Sequence, residues 1–372
     1  MKVLLALIGV CVFGQAEVVP SKKPVPSVTA ASANTQAAEA ALKTLLAANV
    51  TNSTQYQRGQ ISLRLRTETG FAARATIHDM VVRFSGQSVA CDFVRTELPK
   101  SAPEPAWKGA PTPETRALTR MVTAPGTHTT IYRLAGAMGP GSQPQFLFFV
   151  AGRESMDIRD YQMRPDQAWF NIDRKYQLKL IIESMLAKGT ADDTFVRMEG
   201  ANVILGSADA KEKKSSTIEF SLIQGGNAVK HENWKATTNR SPYASRSTWS
   251  WAQFPDDRWY LKTMDCETWS DELSNPQLKE VYEKNRKQRP QAYDPDWVSK
   301  PTWRMKLVIH DFDPDPKWEI DPFNPSLWRV ATGTLVDDRT GTSARRYKFG
   351  QDTSDPTAEI NVLVERLKQR KP

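Results

Sequence analysis

Residues 74–97 read RATIHDMVVRFSGQSVACDFVRTE. In an extended chain, successive side chains point to opposite faces, so Met80, Val82 and Phe84 stand together on one side. Gly86-Gln87 forms a short turn, and Val89, Cys91 and Phe93 return in step. The segment is an antiparallel hairpin with one apolar face, and a period-two pattern predicts that the opposite face is wet.

The same pattern extends outward. Gln60–Thr67 places Ile61, Leu63 and Leu65 on one side and Arg64 and Arg66 on the other. Thr129–Leu134 and Gln145–Val150 read as strands, and Phe146-Leu147-Phe148-Phe149 is apolar on both faces. Between 194 and 268 the sheet signal is clearest. Ile218, Phe220 and Leu222 alternate, Gly225-Gly226-Asn227 turns, and Ala228–Trp234 returns. Trp249, Trp251 and Phe254 come next, and Pro255-Asp256-Asp257 turns into Arg258–Thr263. Further strands are expected at Thr302–Asp311 and Ala344–Phe349, the second after a turn region at Gly333–Gly341.

Helices are fewer. Residues 35–48 put Leu42, Leu45 and Leu46 on one face beside Ala38 and Ala41. Residues 173–188 have a broad face of Leu178, Ile181, Ile182, Met185 and Leu186, with Asp173 as cap and Gly189 as stop. Asn275-Pro276 opens a short polar helix to about 288. After Asp355-Pro356, Ile360, Leu363, Val364 and Leu367 repeat at helical spacing. Residues 98–126 hold six prolines and read as a long surface insertion loop. The chain shows no internal repeat and no β-α-β alternation, which argues against a parallel nucleotide-binding sheet.

The chain has 372 residues, 40% hydrophobic and 25% charged. That composition fits a globular protein and excludes a collagen, an acidic disordered chain and a multi-span helical membrane protein. Residues 1–16, MKVLLALIGVCVFGQA, read as a secretory signal peptide cleaved after Ala16. Residues 17–34, rich in Pro, Ser and Ala, form a flexible leader. Cleavage removes one Lys and no acid, lowering the net charge from +8 to +7. The basic residues are scattered except for the tail (Arg366, Lys368, Arg370, Lys371), which suits contact with anionic lipid headgroups. No basic stripe points to nucleic acid. Cys91 and Cys266 form either one disulfide or two buried thiols, and the sequence alone leaves both open.

No catalytic signature emerges. His78, His128, His231 and His310 are not paired at metal-binding spacing, and neither a G-x-S-x-G nor a P-loop is present. Asp311, Asp313 and Asp315 resemble the opening of a calcium loop, but Pro316 and Pro322 occupy the positions where an EF-hand needs Gly and Glu. The simpler reading is an acidic turn at a strand end. Trp249, Trp251 and Trp259 fit either sheet core or a sugar-stacking surface.

Several stretches, taken in order, resemble the outer-membrane lipoprotein carrier (LolA/LolB-like) superfamily, and large secreted bacterial relatives of it in particular. They are Val81-Val82-Arg83-Phe84-Ser85-Gly86, Ile131-Tyr132-Arg133, Thr248-Trp249-Ser250-Trp251 with Arg258-Trp259-Tyr260-Leu261-Lys262, and Phe323 through Thr332-Gly333-Thr334-Leu335-Val336-Asp337-Asp338-Arg339. The likeness spans residues 35–350.

The resemblance implies an α+β, mainly β fold. A long, strongly curved antiparallel sheet forms a half β-barrel, helices cover its concave face, and residues 351–372 add an amphipathic helix and basic tail. It implies a non-enzymatic periplasmic or secreted protein without cofactor that holds a lipid, an acylated protein or a hydrophobic segment. The expected lining is Met80, Val82, Phe84, Phe93, Phe146, Phe148, Phe220, Trp249 and Trp251. Two alternatives stand beside it. One is a carbohydrate-binding module or carbohydrate-active enzyme using the Trp residues. The other is an envelope sensor or protein-interaction domain.

Overall fold

The computed structural model describes residues 34–53, 58–70, 72–86, 88–112, 118–124, 127–134, 145–151, 194–209, 214–235, 243–269, 276–292, 301–324, 333–338, 345–350 and 362. The expected signal peptide, leader, 173–188 helix, C-terminal helix and basic tail lie outside them.

Two meanders build one sheet. The first runs β1 (Arg58–Thr69), β2 (Arg74–Ser85), β3 (Ser88–Pro99), β4 (Leu118–Ala124), β5 (Thr127–Leu134) and β6 (Gln145–Ala151). The second runs β7 (Thr194–Glu199), β8 (Asn202–Asp209), β9 (Lys214–Ser221), β10 (Asn227–Lys235), β11 (Tyr243–Gln253), β12 (Trp259–Thr268) and β13 (Trp303–Asp313). They join where β1 pairs antiparallel with β13, from Gln60↔Asp313 to Thr69↔Trp303. Beyond β6, β14 (Leu335–Asp338) pairs in parallel, and β15 (Arg345–Lys348) pairs antiparallel with β14. The order is β15-β14-β6-β5-β4-β3-β2-β1-β13-β12-β11-β10-β9-β8-β7, and the sheet does not close into a barrel. Twist accumulates across neighbouring strands, and open sheets of more than ~10 strands commonly curl. Register shifts at Ser62/Leu63, Ala228/Lys230, Asn233/Trp234 and Ser250/Trp251 add local bends.

The hairpin at 74–97 forms as its pattern dictates. Ser85 pairs with Ser88, and Gly86 takes φ +55°, a left-handed backbone that only glycine adopts freely. Gly225 and Gly226, both at φ +70°, likewise turn β9 into β10, after a short 3₁₀ turn at Leu222–Gln224.

Helix α1 (Asn34–Ser53) lies over β7 and β8. Ala41, Leu42 and Leu45 are buried there against Val196, Val203, Leu205 and Phe220, with Leu46 beside them. It roofs one end of the apolar face by the leucine stripe visible in the sequence. Helix α2 (Pro276–Gln288) begins at Pro276 as expected and buries Tyr282.

Three features differ from the sequence reading. The sheet is antiparallel except for the β6–β14 pair. The proline-rich 98–126 stretch is not all loop. β3 continues to Pro99, and Leu118–Ala124 becomes β4, paired to β3 from Val89↔Thr123 to Val94↔Leu118. Leu335–Asp338, read as turn from its neighbouring glycines, is β14. β4 is held between β3 and β5, and β14 between β6 and β15, and such pairing overrides local turn signals.

Candidate functional site

One face of the sheet is apolar over ten consecutive strands. In β1–β3, β12 and β13 the inward residues are Ile61, Leu63 and Leu65; Met80, Val82 and Phe84; Val89, Cys91 and Phe93; Leu261, Met264 and Cys266; and Met305, Leu307, Ile309 and Phe312. A second cluster, formed by β7–β10 and α1, contains Val196, Val203, Leu205, Phe220 and Ala228. Trp249 on β11 packs against both clusters and makes them one surface.

Of the expected lining residues, Met80, Val82, Phe84 and Phe93 fall together in the first cluster and Phe220 in the second. Their relative exposures are 2%, 0%, 0%, 2% and 1%, so in this structure they are packed side chains with no water-sized space beside them. Trp249 and Trp251 are half-buried against the first cluster. The Trp251 indole Nε1 donates to the Ala228 carbonyl at 2.7 Å. Both indoles are thus part of the apolar packing and not a flat row open to solvent. Phe146 and Phe148 lie on β6, opposite Arg133 and Ile131 of β5; their side chains lie outside the described residues.

Sequence reasoning did not put β12 and β13 into this lining. Met305, Leu307 and Ile309 alternate visibly, but only the β1–β13 seam shows that they continue the face of β1. Cys91 and Cys266 are separate buried thiols, with β2, β1 and β13 between their strands. The disulfide alternative therefore gives way to the thiol one, because paired cysteines need Cα atoms within ~7 Å. Burial pushes the Cys266 thiol up to about 12, which makes it an inert group of the core.

The opposite face is wet along β11 and β13, where Arg246, Thr248, Arg304 and Lys306 are exposed, but it is closed over β1–β4. Asp92 is buried between Arg120, with contacts of 2.6 and 3.0 Å, and Arg83 at 3.0 Å. A row of alternating charge crosses five strands: Glu68 faces Arg304, Arg304 faces Glu267, Glu267 faces Arg246, and Arg246 faces Glu232. Opposite charges on directly paired residues stabilise a sheet, whereas like charges would oppose its register.

Two irregular segments strap this charged face. The first is the proline-rich one. Arg64, 4% exposed, binds Asp79 through two contacts of 2.6 and 2.9 Å. It also donates to the Pro105 carbonyl and lies 3.5 Å from Glu104. The Trp107 ring stacks on His310, with centroids 4.0 Å apart, and the Arg64 guanidinium lies 5.6 Å from the Trp107 centroid. The Asp79 hydrogen bonds raise the Arg64 pKa, while burial and then Arg64 lower that of His310. The second strap is 314–324. There Trp318 packs under the Arg58 guanidinium at 4.4 Å, and its Nε1 donates to Gln60.

The Asp311, Asp313 and Asp315 side chains are exposed, and the Asp315 N–H donates to Asp313 Oδ1 at 2.9 Å, which is the acidic turn expected. Among the described residues no group of three His, Cys, Asp or Glu is arranged to hold a metal ion. Nor, among them, is any helix long and apolar enough to cross a membrane.

No protein-family model matches the sequence, and no curated protein matches it. Among solved structures, the chain is similar to a DUF1329 family protein from Desulfovibrio piger ATCC 29098, with a TM-score of 0.34 and 10% identity over 78% of this chain and 98% of that one. It is also similar to a LolA superfamily protein from Nitrosomonas europaea, with a TM-score of 0.32 and 9% identity over 75% of this chain and 95% of that one.

Proposed function

We propose that the protein is a non-enzymatic periplasmic or secreted binding protein that holds a lipid, an acylated protein or a hydrophobic segment against the apolar face of its sheet. One observation carries the reading: an apolar surface runs over ten strands, while the opposite face carries ion pairs, two straps and exposed charged residues. Among the described residues there is one sheet and no second sheet to cover it, so its apolar side needs a roof. At the β7–β8 end that roof is α1, held through a stripe of leucines. Contacts of this kind are non-directional, and an acyl chain replaces them with little loss. The basic tail suits contact with a membrane surface where such a ligand is collected or delivered.

The test is native mass spectrometry of the protein secreted into its own compartment and purified without detergent. The expected result is a set of adduct masses that disappear on solvent extraction, after which the stripped protein binds N-phenyl-1-naphthylamine. A spectrum of bare protein, together with no binding of that dye, would contradict the proposal.

A further inference from the structure

The apolar face ends in a band of uncharged hydrogen-bonding groups. Strand register places Thr194 opposite Ser207, Ser207 opposite Ser216, Ser216 opposite Asn233, Asn233 opposite Ser245, and Ser245 opposite Thr268. These are six neighbouring strands, β7 to β12, and each contributes one small polar residue to a single row. Directly paired residues share a face, and this is the inward face. Two positions along β11 from Ser245 comes Ser247 and then Trp249, and two positions back along β12 from Thr268 comes Cys266, all on that face. The band is ordered, since Asn233 Nδ2 donates to Ser245 Oγ at 3.0 Å and Ser216 Oγ lies 3.4 Å from His231 Nε2.

A row of small residues does not by itself make a site. The second observation is Ser247, one step inside the row. It is 1% exposed, and its Oγ is sealed from solvent without a hydrogen bond of normal length and angle. It lies near enough to Cys266 to favour the thiolate, yet that thiol stays protonated and is at best a weak donor. A buried hydroxyl without a partner is costly, and native structures retain few of them.

We propose that the hydroxyl row with Ser247 is the headgroup end of the ligand site, and that it selects an amphiphile with an uncharged, hydroxyl-bearing head such as a monoacylglycerol. This rests on the reading that the apolar face takes an acyl chain. The chain lies along the face past Trp249, and the head exchanges hydrogen bonds with Ser247 and the row. Charge decides the class of head. No Asp, Glu, Lys or Arg stands in the row, and among the described residues next to it on that face the titratable ones, His231 and Cys266, are both neutral at pH 7. A carboxylate or phosphate brought here would be desolvated without a cationic partner, at a cost that a hydroxyl head avoids.

The test uses the full chain, stripped of lipid and loaded with N-phenyl-1-naphthylamine. 1-Monoolein and oleate carry the same acyl chain, and each is titrated below its aggregation threshold to displace the dye. Monoolein is expected to displace it at a concentration about ten-fold lower, because the carboxylate is left unpaired. Ser247→Ala is expected to melt at the same or a higher temperature, since it removes a buried hydroxyl whose only close polar neighbour among the described residues is the Cys266 thiol. The variant should need about five-fold more monoolein, the worth of one uncharged hydrogen bond, with the oleate curve unmoved. If the dye binds and oleate competes as well as monoolein, or Ser247→Ala leaves both curves in place, the headgroup assignment is overturned and the chain-binding reading stands. If the dye does not bind at all, both fall.

Discussion

Replacing Arg64 with Met should destabilise the protein by about 3 kcal/mol and open the 100–112 segment to trypsin. Among the described residues, Arg64 ties the proline-rich strap to the sheet through charge, backbone and ring contacts together. Its guanidinium holds both Asp79 oxygens, the Pro105 carbonyl and Glu104, and lies by the Trp107 ring that stacks on His310. Met keeps the length of the stem, so the packing loss is small and the electrostatic loss dominates. Asp79 is left without its partner beneath the strap, and leaving one half of a buried pair is worse than removing both. The Arg64→Met/Asp79→Leu double variant should therefore recover part of the stability in urea unfolding while the strap stays open. Cleavage after Lys100 and Lys108 reads the strap directly. Unchanged cleavage, with a stability loss below ~1 kcal/mol, would show that the strap is held by its prolines and not by Arg64.

The second large effect is a pH dependence from His231. Burial lowers its pKa to about 4, against 6.5 for a free histidine, although a hydrogen bond with Asn233 pulls the other way. A histidine with a depressed folded pKa is protonated first in the unfolded chain. Its contribution is complete above pH 6.5 and is lost as pH falls from 6.5 towards 4. Between pH 7.5 and 4.5 the loss amounts to roughly 2.5 kcal/mol. His231→Gln cannot take up the proton, so its stability should fall less over that range by about this amount. Urea unfolding of both proteins at the two pH values measures the difference, and the shared titration of the carboxylates cancels. Equal pH slopes for wild type and variant would show that His231 is not sealed in the core.

Much of the fold was legible in the sequence. The hairpins at 74–97 and 218–234 and the stripe of Leu42, Leu45 and Leu46 are local patterns, and local patterns survive folding when the apolar face they define is buried. The β1–β13 seam was not legible, because it joins residues more than two hundred positions apart and no local signal encodes the partner. β14 likewise takes its parallel partner from β6, far back in the chain, and β4 was hidden by the prolines on either side of it. The strap was missed for a different reason. Prolines mark where a chain leaves regular structure but not what it then packs against, so Arg64 looked like an outward, solvated residue. Of the candidate site, the apolar lining came from period-two spacing. The hydroxyl row required cross-strand register: Ser216, Asn233 and Ser245 are unremarkable polar residues until pairing sets them side by side.

Whether the ten-strand apolar face is where a ligand lies can be measured directly. With methionine methyl groups labelled with carbon-13, a nitroxide-bearing methyl ester of stearic acid is added to the stripped full chain, and line broadening is read at each assigned methyl. Met80, Met264 and Met305 belong to the inward cluster. The account predicts selective, saturable broadening of Met80, Met264 and Met305. Broadening that spares these three methyls, or none at all at saturating probe, would contradict it.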